Sequence, residues 1–148
     1  MKRVLIFSLL LFFAIKGMAQ KAEAIAGIWW NDEKTSKIEI KEVNGKFIGT
    51  VVYINPSSYV NGEPEKDTNN PDPKLRSRSK LGLQILSGLQ FNAGKSQWDN
   101  GRIYDPENGK TYDCYAWFEK DSNTLYLKGY VVGIKMLGRS TIWTRATN

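Results

Sequence analysis

Three acids stand where chemistry could be built: Asp67 and Asp72 in a turn-rich stretch, and Asp105 at the end of an apolar run, with Arg76 close to the first two. Two carboxylates at a set separation are all that glycoside hydrolysis requires. These acids therefore carry the one enzymatic reading the chain allows. Sequence spacing does not set that separation, and Tyr104-Asp105-Pro106-Glu107-Asn108-Gly109 reads more economically as a strand end whose acid accepts backbone amides of a turn. Histidine-dependent chemistries are closed. The chain has no histidine, which removes the Ser-His-Asp and Cys-His arrangements, histidine base catalysis and nearly all familiar catalytic zinc sites. Cys114, the single cysteine, cannot form an internal disulfide. It alternates with Tyr112 and Ala116, as a small buried hydrophobe would, not a reactive thiol.

Asp67-Thr68-Asn69-Asn70-Pro71-Asp72 has the oxygen density of a calcium loop and matches the D-x-[DN] opening of an EF-hand. The match ends there: proline takes the fifth position, Asp72 stands in place of the obligatory glycine, and Arg78 falls where the bidentate glutamate belongs. The bland reading is a set of Asx and β turns. Asp72 is expected to pair with Arg76 or Arg78 and hold this loop on its scaffold. The densest basic stretch, Lys74, Arg76, Arg78 and Lys80, reads as a solvated face before it reads as an anion site. The sequence calls for no metal and no cofactor.

Aromatic side chains are the stronger functional signal. Trp29, Trp30, Trp98, Tyr112, Tyr115, Trp117, Tyr126, Tyr130 and Trp143 fall on expected strands, and along Tyr112 to Phe118 they occupy both parity classes. The two faces of that strand cannot both be core, so some of these rings line a cavity or form an outer patch. A fully packed core with exposed cross-strand tyrosine pairs is the competing reading.

The elements that must position these residues are strands. Apolar periodicity is mostly two, and turn signals recur throughout. Asn44-Gly45 and Asn108-Gly109 each sit between strand-like runs and predict type I′ hairpins, whose two central residues need positive φ. Asp121-Ser122-Asn123 links a strand ending at Phe118 to Leu125-Tyr126-Leu127, and Gly133 to Gly138 turns the chain into a last strand over Ser140 to Arg145. With Gly27 to Trp30 and Leu83 to Leu89, about eight strands result. The Leu83–Leu89 segment is ambiguous, because Leu81, Ile85, Leu86 and Leu89 also fit a helical face; Gly82 and Gly88 oppose the helix. Residues 55–80 hold four prolines and no regular element, a loop long enough to be functional or disordered.

The first nineteen residues read as an export signal: Lys2 and Arg3, an apolar run from Val4 to Ile15, then Gly17-Met18-Ala19 for cleavage. The run is short for a membrane span of about 20 residues, and no cysteine follows it to take lipid. A cleaved leader over 1–19 leaves one domain over 20–148. It removes Lys2, Arg3 and Lys16 and no acid, so formal charge falls from +6 to +3. That charge is no basic stripe for nucleic acid. The expected location is periplasmic or secreted, without membrane insertion after cleavage.

An antiparallel sheet of this size loses its exposed edges by closing into a barrel. Gly27-Ile28-Trp29 with Ile142-Trp143-Thr144-Arg145 resembles the lipocalin arrangement, in which a tryptophan on the first strand packs under a basic side chain from the last. Trp29 and Arg145 are thus the expected clasp. Gly27-Ile28-Trp29, Asp67, Asn70-Pro71-Asp72-Pro73, Leu75-Arg76, Gly82-Leu83, Ile85 to Leu89, Trp98, Gly101, Ile103 to Pro106, Asn108 to Tyr112, Leu125 to Gly129 and Trp143 to Arg145 together resemble domain-of-unknown-function family 2147 of bacterial secreted proteins. The resemblance implies an exported small β domain. The fold expected is all-β: a single antiparallel up-and-down barrel of about eight strands with one long loop over 55–80. Three functions follow. The first is a binding barrel without catalysis, taking an apolar or aromatic small molecule at the end near the loop, with Asp67, Asn70, Asp72, Arg76, Tyr104, Asp105, Tyr112 and Trp117 as candidate contacts. The second is an envelope protein-interaction module with a solid barrel. The third is a hydrolase using Asp67, Asp72 or Asp105.

Overall fold

The computed structural model describes residues 21–131 and 134–147, and all of their side chains except those of 135–137. The expected leader, residues 1–19, lies outside the described residues, as do 132 and 133 between the last two strands.

Eight strands follow one another in sequence order and close into an antiparallel barrel: β1 (Gly27–Trp30), β2 (Ser36–Val43), β3 (Lys46–Ile54), β4 (Gln84–Asn92), β5 (Gln97–Asp105), β6 (Lys110–Phe118), β7 (Thr124–Val131) and β8 (Ile134–Arg145). Closure is made by β1 against β8, where Trp29 stands opposite Arg145. None of the described helices is long and apolar enough to cross a membrane.

Local chemistry explains the turns. Asn44 and Gly45 both adopt positive φ, 52° and 76°, as a type I′ hairpin requires. The second Asn-Gly pair departs from this expectation. Only Gly109 has positive φ, at 71°, and the chain turns over the four residues between Asp105 and its strand partner Lys110. Pro106 fixes a negative φ at the start of this turn. The Asp105 carboxylate accepts the Glu107 amide at 2.9 Å, and its carbonyl accepts the Gly109 amide at 2.8 Å. The last strand also begins earlier than expected: Ile134, not Ser140, opens β8, and Ile134 already pairs with Val131.

The ambiguous 83–89 segment is a strand. Leu86 and Leu89 are both fully buried although three residues apart, a spacing strict alternation forbids. Gly88, with φ of 76°, and a register shift against β3 insert the extra residue that returns Leu89 to the interior. The helix-like pattern in the sequence is the trace of this bulge. Trp98 and Gly101 repeat the device on β5, with Asn100 at φ 61°.

Side chains fill the barrel unevenly. One end is plugged by a helical turn at residues 21–23 and the segment leading into β1, with Ile25 fully buried. Trp98 donates to the Ala22 carbonyl at 3.0 Å and Trp29 to that of Ile25 at 2.9 Å. Phe118 lies 6.0 Å from Trp29 and 5.1 Å from Trp98, ring centre to ring centre. Arg145 seals this end: its guanidinium lies 4.2 Å from the Trp29 ring centre and donates to the carbonyls of Ala24 (2.8 Å), Ala26 (3.0 Å) and Ser122 (2.8 and 3.1 Å). Gly27 is required here. Its φ is 132°, and a Cβ would stand 2.6 Å from Arg145 Nη1. Cys114 is buried as expected, its thiol pushed up to about 12 by burial and the charge of Asp113.

Candidate ligand-binding site

Above the plug the barrel is hollow. A cavity of about 660 Å³ opens at the opposite end, so the barrel is not solid. Its wall carries Ile38, Val51, Ile103, Leu127 and Trp143, with Tyr112 and Thr141 among them. Gly129 keeps it open: a Cβ there would only touch Ile103 and Tyr112, at 3.4 and 3.6 Å. The mouth is polar, with Asn31 to Ser36 on one side, Ser58, Glu65 and Lys80 of the long loop on another, and Asp105 to Asn108 of the β5–β6 turn on a third.

The long loop is built, not shapeless. It contains 3-10 turns at Pro56–Ser58 and Pro73–Leu75 and isolated bridges between Val60 and Glu63 and between Lys66 and Ser79. Its centre is Asp67, with no exposed surface. Tyr104 donates to Oδ1 at 2.6 Å; Asn70 and the Arg78 Nε donate to Oδ2 at 2.8 and 3.0 Å, and Arg78 Nη2 lies 2.9 Å from the same oxygen. Burial alone would raise the carboxyl's pKa, but these hydrogen bonds and the Arg78 charge outweigh it and hold Asp67 below its ordinary 3.8. Burial and the neighbouring carboxylate together push Tyr104 above 10.0, so it remains a donor. Closer to the mouth Lys80 bridges Glu65 and Glu107, both at 2.6 Å. Burial would lower its pKa, but the two carboxylates raise it above 10.5.

The structure brings together some of the sequence candidates and separates others. Asp67, Asn70 and Tyr104 share one cluster. Asp72 does not pair with an arginine; it caps the second 3-10 turn, accepting the Lys74 amide at 3.0 Å. The partner of Arg78 is Asp67, because that acid is buried and needs a counter-charge while Asp72 is exposed to water. Arg76 donates to the Asn70 carbonyl at 2.7 Å. Tyr104, Asp105 and Tyr112 line the cavity, and Asn108 links the last two, donating to the Asp105 carboxylate at 2.9 Å and the Tyr112 hydroxyl at 3.0 Å. Trp117 is elsewhere: it stacks between Tyr115 and Tyr126 on the outer face of β6 and β7, at 5.3 and 5.5 Å, with Tyr130 beyond Tyr115 at 6.1 Å. The basic stretch is only partly a solvated face, since Arg78 and Lys80 are both committed to acids.

These placements bear on the chemistry. Both Asp67 oxygens are occupied and a guanidinium holds the place a cation would take. Among the described residues no group of three His, Cys, Asp or Glu could hold a metal ion. Asp67, Asp72 and Asp105 are engaged in three separate structural tasks and do not form a pair around a shared cleft. Sequence reasoning named Tyr112 but missed the apolar cavity wall around it, Ile38, Val51, Ile103 and Leu127. The signal was present in strand parity, since Leu125, Leu127 and Gly129 alternate on one face of β7.

An eight-stranded barrel plugged at one end by an N-terminal segment, with a first-strand tryptophan under a last-strand arginine and a hollow at the other end, is a lipocalin-like fold. Over residues 27–145 the chain matches the model of the bacterial family DUF2147, described as an uncharacterized protein conserved in bacteria, and it belongs to that family. Among solved structures it is similar to protein HP1028 from the human pathogen Helicobacter pylori, which belongs to the lipocalin family. Identity is 29%, the TM-score is 0.70, and 84% of each chain is covered. No curated protein matches the chain.

Proposed function

We propose that this barrel is an exported binding module that takes an apolar or aromatic small molecule into its open end and performs no catalysis. The observation that carries the reading is the one-ended cavity, apolar in its depth and polar at its mouth. A volume of about 660 Å³ lies within the range of small-molecule sites, roughly 300–1,000 Å³. Burying the apolar part of a ligand there supplies the driving force, and the hydroxyls of Tyr112 and Thr141 and the charges at the rim orient its polar end. The lipocalin membership of the similar Helicobacter protein supports the same reading. Export to the periplasm or beyond rests on the leader-like residues 1–19.

The protein isolated from its own host and sprayed from native buffer is the test. A discrete mass adduct, lost on denaturation, is the expected result; bare protein that also takes up no apolar probe contradicts it.

A second reading has its own observation. The stacked rings of Tyr126, Trp117 and Tyr115 on the outer face of β6 and β7 support contact with an envelope protein. Reduced capture of envelope proteins by Trp117→Ala, with cavity binding unchanged, would favour it.

A further inference from the structure

Residues 55–82 line part of the cavity mouth through Ser58, Glu65 and Lys80, yet this strap buries no apolar side chain. Its buried residues are Asp67 and Asn70 alone. Packing therefore does not hold it down. Much of its hydrogen bonding is internal: the Asp67 amide donates to the Arg78 carbonyl at 2.9 Å and the Lys80 amide to that of Glu65 at 2.8 Å, so the segments around 65–67 and 78–80 form a small unit of their own. The ties from the body of that unit to the barrel all end on β5 and the turn that follows it. Tyr104 holds Asp67 and accepts from Asn70 at 3.2 Å; Asn69 donates to the Glu107 carbonyl at 2.8 Å; Lys80 reaches the Glu107 carboxylate. Asn69 also lies so close to Gly109 that a Cβ there would overlap its carbonyl. At its two ends the strap meets the barrel through single backbone bonds, Asn55 to Thr35 and Gly82 to Val51, with Gly82 at φ 85°.

A segment held by polar contacts at one side, and tethered at both ends, opens at a lower free energy than the barrel. We propose that residues 55–82 form the gate of the cavity and swing as one unit when their contacts to Tyr104, Glu107 and Gly109 break. The gate rests on the binding reading above, and it adds the route by which a ligand enters and leaves.

Stopped-flow exchange of N-phenyl-1-naphthylamine, read beside amide exchange, tests it on the full-length protein. Asn69→Ala removes the donor to the Glu107 carbonyl, and Gly109→Ala independently pushes the strap off the β5–β6 turn; neither residue lines the cavity. If ligand passes only through the open state, weakening the latch multiplies entry and exit rates alike. Both variants are expected to speed association and dissociation together, by about tenfold for each 1.4 kcal/mol of latch lost, while Kd stays within about twofold. The strap amides should exchange faster in concert, with plug amides unchanged. Faster strap exchange with unaltered probe kinetics would overturn the gate while leaving the binding reading intact. A rise in dissociation rate alone, with weaker Kd, would mean the strap is a wall of the site and would also overturn it. Wild-type protein that binds no probe would overturn the binding reading and the gate with it.

Discussion

At the sealed end of the barrel Trp29, Trp98 and Phe118 lie ring against ring under Ile25, and the Arg145 guanidinium laid over them is spent on backbone carbonyls and an indole face. In the strap over the open end the buried groups are an aspartate and an asparagine, held by a tyrosine and an arginine beside a hollow. The same antiparallel ladder runs through both ends. What differs is the source of cohesion: apolar burial with its large area term at one end, directional polar contacts at the other, each of modest net value because water competes for them. A barrel that is rigid where it is packed and releasable where it is polar can hold a cavity open and still exchange its content.

The clasp offers the largest perturbation. Arg145→Ala leaves the carbonyls of Ala24, Ala26 and Ser122 without their donor and uncovers Trp29, and a loss of about 3 kcal/mol is expected in a urea melt. Arg145→Lys recovers only part of it, since an ammonium cannot reproduce the planar fork. A loss below about 0.5 kcal/mol, the range of an ordinary surface site, would show that the sealed end does not depend on the clasp. Gly27→Ala strikes the same place through the backbone; positive φ and the encounter with Arg145 should cost about 2 kcal/mol.

At the open end the effects are smaller, because a destabilised strap opens locally before the barrel unfolds. Asp67→Asn keeps the shape and removes the charge. Arg78, whose side chain is 39% exposed, can turn to water, so a global loss of about 1–2 kcal/mol is expected, together with faster exchange at Asp67, Arg78 and Lys80. A loss equal to that of Arg145→Ala would erase the distinction between the ends.

Acid and alkali should separate the ends as well. The folded pKa of Asp67 is depressed, so its contribution is whole above 3.8, its ordinary value, and is lost as pH falls through the folded value. Lys80 is raised, so its contribution is whole below 10.5 and is lost as pH rises through its folded value. The carboxyl carbon resonance of Asp67 and the Cε resonance of Lys80 should therefore move at these two extremes, before the Cα resonances of Ile25 and Trp29. Simultaneous changes at both ends would contradict the account. The smallest effect belongs to Trp117→Ala on the outer face, expected to cost about 1 kcal/mol or less and to leave cavity binding unaltered.

Legibility in the sequence followed the same divide. The sealed end was readable through a resemblance and one turn: Gly27-Ile28-Trp29 near the start and Arg145 near the end marked the two strands that meet, and Asn44-Gly45 placed a hairpin. Bulges blurred the rest. Gly88 brings Leu86 and Leu89 to one face and so mimics a helix, and Pro106 with Asp105 overrides the turn type that Asn108-Gly109 suggests. The open end was only partly readable, since its contacts join residues far apart in the chain. Asp67, Asn70 and Tyr104 were singled out as ligand contacts; the structure joins them in one hydrogen-bonded cluster, of which Tyr104 also lines the cavity. Which acid meets Arg78 depends on burial, which the local sequence does not encode. Trp117 was drawn toward the cavity by its residue type, while strand parity places it outside with Tyr115.

Gly129 lines the hollow above the plug and gives direct access to it as a binding site. Fluorescence titration of N-phenyl-1-naphthylamine into wild-type protein and Gly129→Phe, with melts of both, is the deciding measurement. The phenyl ring enters the cavity beside Ile103 and Tyr112 without disturbing the plug. Saturable one-site binding by the wild type, lost in Gly129→Phe at a nearly unchanged melting temperature, is the result predicted. Equal affinity in the two proteins, or no saturable binding in the wild type, would contradict it.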